Sequence, residues 1–198
     1  MLEPLRAVLA SHNEHKLREL RHALPGWELE LLDADELPAE EGESYYENAR
    51  AKARFGRARA EPDRWVLGED SGIEVEALDG GPGVQSARWA EGEHVERLLA
   101  ELRGVVGEGR RARYVCELVC LSPELEELRG TGVLEGRIAE EPCGSEGFGF
   151  DPVFVPEGEK RTVAELGDEW KAASSHRARA ARELREALAN RQASPAAS

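Results

Sequence analysis

Cysteine is scarce in this chain of 198 residues: Cys116, Cys120 and Cys143 are the three present. No C-x-x-C pair occurs, so a structural zinc site is not expected. Cys116 and Cys120 would share one face of a strand, and neighbours along one strand do not normally bridge, so reduced thiols are the expectation. Long apolar runs are missing as well. Stretches such as Ala7–Ala10 and Leu118–Leu121 fall far short of the roughly 20 residues that a membrane span needs. The opening MLEPLRAVLASHNEHK lacks the pattern of a secretory signal. A cytoplasmic location without a membrane partner is therefore expected. Basic charge is also in deficit, at a net −14, which argues against a nucleic-acid binder. It leaves room for a small polyanion, which needs only a local group of cations and a metal. The P-loop pattern GxxxxGK[ST] is absent, and so is the GxSxG elbow of serine hydrolases.

Lysine is the rarer cation, with four against 22 arginines. Three of the four, Lys16, Lys52 and Lys171, fall in the motifs described below. With 40% hydrophobic and 33% charged residues, the chain reads as globular, with one domain over 1–190 and a disordered tail over 191–198.

Arg6–Ser11 reads as a short buried strand. Ser11 and Glu14 have capping-box spacing, and Leu17, Leu20 and Leu24 continue with helical period until Pro25-Gly26. Glu28–Leu32 is a second strand. Ser44 and Glu47 open another capped helix, running to about Ala60 and ended by Pro62. Trp65–Leu67 is a strand leading into Gly68–Gly72, after which Ile73, Val75 and Ala77 alternate with acidic residues. Glu93–Leu102 reads as a helix, Arg113–Leu121 as a strand, and Glu126–Val133 as its hairpin partner. Asp79–Gly83 and Glu141–Asp151 are glycine-rich loops. Pro152–Val155 is extended and Ala178–Leu188 is an amphipathic helix. Strands and helices alternate first and strands cluster later, which gives an α/β fold with a mixed sheet.

Five segments carry chemistry. Ser11-His12-Asn13-Glu14-His15-Lys16 joins a strand to a helix, where free amides and a first-turn lysine favour phosphate. It is equally an ordinary capped helix. Glu40–Lys52 places carboxylates before a helix that carries Asn48 and Lys52 on one face, suited to a hard cation and a phosphate. A solvated acidic run would look the same. Gly68-Glu69-Asp70-Ser71-Gly72 ends a strand, where α/β sites form, although D-S-G is also turn chemistry. In Gly144-Ser145-Glu146-Gly147-Phe148-Gly149-Phe150-Asp151-Pro152, glycines free an aromatic ring to stack on a flat base, and Asp151 could accept from a base N–H; a tight loop with its aromatics in the core is the other reading. Lys171 with His176 and Arg177 supplies donors suited to a carbonyl oxygen.

In this order the segments SHNEHK, EEGESYYENARAKA, EDSGIEV, GGPGVQSARWA, GFGFDP and SHR resemble the motifs of the inosine triphosphate pyrophosphatase family. The resemblance runs from about Ala7 to Ala180. It implies magnesium-dependent hydrolysis of purine nucleoside triphosphates to monophosphate and pyrophosphate. It implies an elongated mixed sheet with flanking helices, two lobes around a central substrate cleft, and a homodimer. By position, Asp70 resembles the catalytic acid–base and a metal ligand. Glu40, with Glu41 as competitor, resembles the second metal carboxylate, and Lys52 a catalytic, phosphate-binding lysine. Ser11, His12, Asn13, Glu14, His15, Lys16 and Ser71 match the nucleotide site. Phe148, Gly149, Phe150, Asp151, Lys171, His176 and Arg177 match the residues that meet the purine. The chain departs from the pattern at His12 (usually glycine), Glu41 (usually threonine), Tyr45 (usually phenylalanine), Glu69 (usually aspartate) and Cys143 (usually arginine).

Overall fold

A computed structural model describes residues 4–89 and 92–193. Its elements run in chain order: β1 (Leu5–Leu9), α1 (Glu14–Ala23), β2 (Trp27–Leu31), α2 (Tyr45–Arg57), β3 (Trp65–Val75), α3 (His94–Glu101), β4 (Arg111–Leu121), β5 (Glu127–Ile138), β6 (Phe154–Pro156), α4 (Val163–Ser174) and α5 (His176–Ala193). The strands form one six-stranded sheet in the order β2-β1-β3-β4-β5-β6. β1 pairs in parallel with β2 and β3, and β5 pairs antiparallel with β6, so the sheet is mixed as the alternation of elements predicts. No described helix is long and apolar enough to cross a membrane.

The chain divides into two compact units. The first contains residues 1–70, 116–132 and 177–198, and the second contains 71–115 and 133–176. In the first unit the parallel strands are buried on both faces, as such strands usually are. Ala7 and Leu9 of β1 point to one side, with Leu17, Leu20 and Leu24 of α1, Cys116, Leu118 and Cys120 of β4, and Ala180 and Leu184 of α5. Val8 and Ala10 point to the other, with Leu32 and Val66. Cys116 and Cys120 thus share a face as expected, and both are buried free thiols. The second unit packs Ile73, Val75, Leu98, Leu102, Tyr114, Leu134, Ile138, Phe150, Phe154 and Val163 into its own core. Arg110 fastens that unit by donating to the carbonyls of Leu102, Val105, Ile138 and Ala139.

Several elements differ from the expected ones. The N-cap of α1 is Asn13, not Ser11: Asn13 Oδ1 accepts from the amides of His15 and Lys16 at 2.9 and 3.1 Å. Ser11 instead accepts from the Asn13 amide at 3.1 Å. The capping box of Ser44 and Glu47 forms as read. Gly68–Gly72 is not a turn, because β3 runs unbroken through it from Trp65 to Val75. Gly68 makes that possible: a Cβ there would lie 1.9 Å from the Ala49 carbonyl oxygen, so α2 rests directly on the strand. Ala77 falls in a short 3₁₀ turn after the strand ends. β5 is longer than read, and α4 was not anticipated at all. Thr162 and Glu165 cap α4 with a capping box, and its helical path is interrupted at Gly167. α5 continues through Arg191–Ala193, the first part of the expected tail; residues 194–198 lie outside the described residues.

Candidate active site

In the first unit the chemistry gathers on α2 and the middle of β3. α2 begins at its Ser44 cap and carries Asn48 and Lys52 one turn apart on the face toward β3. Asp70 on β3 meets both. Its Oδ1 accepts from Lys52 Nζ at 2.9 Å, and its Oδ2 accepts from Asn48 Nδ2 at 3.1 Å. Lys52 also donates to the Glu69 carbonyl at 3.1 Å and pairs with the Glu40 carboxylate. Of the two glutamates before Gly42, Glu40 faces Lys52 and Glu41 is exposed. Asn48 Oδ1 accepts from the Gly42 amide at 2.8 Å, which ties the acidic loop to the same side chain that holds Asp70.

The charges are buried, and this tunes them. Burial raises the Asp70 carboxyl above its ordinary value; Lys52 opposes this, while Glu69 and Glu40 add to it. Burial works against the Lys52 charge, but Asp70, Glu40 and Glu69 outweigh it and hold the ammonium above the usual lysine value. Asp70 is thus a carboxylate of raised basicity beside a cation that stays charged.

Glu69, next along the strand, serves a different group. It is 1% exposed. Lys16 Nζ lies 2.6 Å from its Oε2. Arg177 donates to Oε1 through Nε and Nη2 at 3.1 and 3.0 Å, and also pairs with Glu19. Against the cost of burial, Lys16, Arg177 and Lys52 hold the Glu69 carboxyl well below the usual range. The Arg177 guanidinium, expected to donate to a purine carbonyl, is engaged by these two carboxylates. Around the α1 turn, His12 Nε2 lies 2.8 Å from the Ala34 carbonyl oxygen, and His15 Nδ1 lies 2.7 Å from Arg18. Glu14 is exposed in the first helical turn.

The second unit holds the aromatic loop. Asp151 is 3% exposed. Its Oδ2 accepts from the Phe148 amide and from Lys171 Nζ, each at 2.7 Å, and Tyr114 Oη donates to its Oδ1 at 3.3 Å. Lys171 Nζ stands 4.5 Å above the Phe148 ring. His176 stacks on Tyr114, with centroids 4.6 Å apart and planes at 12°. Phe148 is half-buried and Gly149 exposed, whereas Phe150 is buried in the core. Ser71 continues β3 just past Asp70 and is half-buried.

The structure therefore groups Glu40, Lys52 and Asp70 together, Lys16 and Arg177 on Glu69, Phe148 and Lys171 on Asp151, and His176 on Tyr114. Asn48, Glu69 and Tyr114 were not among the expected site residues. Asn48 has a sequence signal in its one-turn spacing from Lys52. Tyr114 has none beyond its place in an alternating strand.

No group of three or more His, Cys, Asp or Glu side chains that could cage a metal occurs among the described residues. Glu40 and Asp70, both on Lys52, offer carboxylate oxygens of the kind a hard divalent cation takes, with phosphate oxygens and water completing its shell.

Residues 7–187 match the sequence profile of the Ham1 family. A dITP/XTP pyrophosphatase of Symbiobacterium thermophilum is 46% identical over 88% of this chain and 90% of its own length. One of Thermus thermophilus is 44% identical over 94% and 93%. A solved Ham1 protein of Staphylococcus aureus superposes with a TM-score of 0.80 at 32% identity, covering 94% of this chain and 99% of its own.

Proposed function

The chain belongs to the Ham1 family, and from that membership we propose that it hydrolyses dITP, ITP and XTP to the nucleoside monophosphate and pyrophosphate, removing non-canonical purines from the nucleotide pool. The observation that carries the chemistry is the buried Lys52 ammonium on α2, paired with Asp70 and Glu40.

Asp70 orients a water and accepts its proton as the oxygen attacks the α-phosphorus. The new P–O bond forms as the bond to the α–β bridging oxygen breaks, and pyrophosphate leaves with that electron pair. The raised basicity of Asp70 suits it to take the proton. Lys52 and Lys16 offset the charge that grows on the departing pyrophosphate, so positioning and electrostatics supply most of the rate. The Ser11–Lys16 turn and Ser71 complete the triphosphate contacts. Glu40 and Asp70 would hold a divalent cation, which when bound neutralises phosphate charge.

Phe148 stacks on the base, beside Gly149, with Asp151 holding the Phe148 amide and Phe150 anchoring the loop in the core. Lys171 and His176 donate toward the 6-keto oxygen of hypoxanthine or xanthine. Adenine carries an amino donor there, which faces these donors instead of accepting from them, a mismatch that can discriminate by about 10⁴-fold. Arg177, which the resemblance places with the residues that meet the purine, also donates to Glu69 through Nε and Nη2. Magnesium as the cation and a homodimer complete the proposal on the strength of the motif resemblance, and residues 1–190 acting as one catalytic domain in the cytoplasm on that of length and composition.

The test is product analysis over a panel of dITP, XTP, dGTP, dATP and dTTP. Monophosphate with pyrophosphate from dITP and XTP is the expected result. Diphosphate with inorganic phosphate, or preference for dTTP, would reject the reading.

A further inference from the structure

The base-side groups of the second unit hang on one carboxylate, and that carboxylate has a partner which the motifs do not mark. We infer that Tyr114 is a positioning residue for base discrimination, acting through Asp151 and His176. The inference rests on the reading that Phe148, Lys171 and His176 meet the purine.

Tyr114 stands on β4, 7% exposed. Its ring does two things. It packs against Phe154 at 4.4 Å, as any core aromatic would, and it lies nearly parallel to the His176 imidazole at 4.6 Å and 12°. That flat contact at the start of α5 fixes the plane of the histidine ring, and with the plane it fixes the direction in which the ring nitrogens point. The hydroxyl then donates to Asp151 Oδ1 at 3.3 Å.

Asp151 passes the constraint on. Its other oxygen holds the Phe148 amide and the Lys171 ammonium, each at 2.7 Å, and this sets Lys171 over the Phe148 ring. Gly147 lets the loop close over that oxygen: its φ is +80°, and a Cβ would stand 2.2 Å from Asp151 Oδ2. One buried tyrosine thus touches the histidine directly and the stacking ring and lysine through a single intermediary. Core packing alone would be met by phenylalanine. The hydroxyl adds the link to Asp151, since a buried tyrosine hydroxyl needs a partner.

Recognition of a keto against an amino group depends on donors held to within tenths of an ångström, and a misplacement of 1 Å can cost about 10²-fold. Loosening Tyr114 should therefore blur the choice of base while leaving the reaction centre on Asp70 intact.

The experiment measures kcat and KM for dITP and dATP with the wild-type protein, Tyr114→Phe and Tyr114→Leu, with melting temperatures for each. Tyr114→Phe keeps the ring and loses the hydroxyl. It should raise KM for dITP and lower the dITP-to-dATP ratio of kcat/KM about fivefold, the worth of one net hydrogen bond, with kcat for dITP held. Tyr114→Leu, if folded, also removes the histidine platform and should lower the ratio further. An unchanged ratio in Tyr114→Phe, or an equal loss on both nucleotides, would make Tyr114 a structural residue and overturn the inference. Wild-type protein inactive on dITP would instead defeat the functional reading beneath it.

Discussion

Glu69 and Arg177 lie 108 positions apart in the sequence and meet as a buried pair, two guanidinium nitrogens donating to one carboxylate oxygen at 3.1 and 3.0 Å. Lys16 closes the group from α1 at 2.6 Å. With Glu19, which also pairs with Arg177, two cations and two carboxylates lock distant parts of the first unit together.

Glu69→Gln leaves Lys16 and Arg177 without their shared carboxylate. Breaking a buried pair in this way typically costs about 3–5 kcal/mol, which denaturant unfolding at neutral pH would show. The effect has a pH signature. The folded carboxyl titrates well below its ordinary 4.5, so its stabilisation is complete above that value and is lost as pH falls toward the folded one. The stability gap between wild type and Glu69→Gln should be flat from pH 8 to about 6 and should narrow below about 4.5. A gap that widens in acid would contradict this.

Gly68→Ala should be severe for so small a change. The added methyl would sit 1.9 Å from the Ala49 carbonyl oxygen and 2.6 Å from the Ala53 amide nitrogen, so α2 must lift from β3. Overpacking of this kind costs about 1–3 kcal/mol or more. Because Asn48 and Lys52 ride on that helix, activity should fall even below the melting temperature. Calorimetry and a rate assay on the same sample check both halves.

Asn48→Ala removes a carboxamide that bridges the Gly42 amide and Asp70. Its loss leaves buried groups unpaired at about 1–3 kcal/mol. We expect a lower kcat with little change in dITP affinity, because Asn48 holds the reaction centre and not the base. A variant with normal kcat would remove Asn48 from the site.

Much of the phosphate side was legible because its chemistry sits in short windows, Glu40–Lys52 and Glu69–Asp70. Local spacing shows which residues belong together there. Their pairing is another matter. Lys52 meets Asp70 only because Gly68 lets α2 lie on β3, and the same Gly68–Gly72 segment reads as a turn when its residue types alone are weighed. α4 was hidden because its capped start at Thr162 is followed by Gly167, which interrupts the helical period. The carboxylate partners of Arg177 are equally invisible locally: next to His176 in sequence it reads as a donor for the base, whereas Glu19 and Glu69, which it also holds, come from α1 and β3. Tyr114 looks like any inward residue of a strand, since Asp151, the group that gives it a role, is 37 positions away.

The most direct test of the account is pyrophosphate release from dITP and dATP by wild-type protein and Asp70→Asn, each with magnesium and with excess chelator. Wild type should release pyrophosphate rapidly from dITP with magnesium, about 10⁴-fold less efficiently from dATP, and not at all with chelator. Asp70→Asn should bind dITP yet lose at least about 10²-fold in rate. Near-normal dITP hydrolysis by Asp70→Asn, or release by the wild type that is indifferent to the chelator, would contradict the assignment of Asp70 and the cation to the reaction.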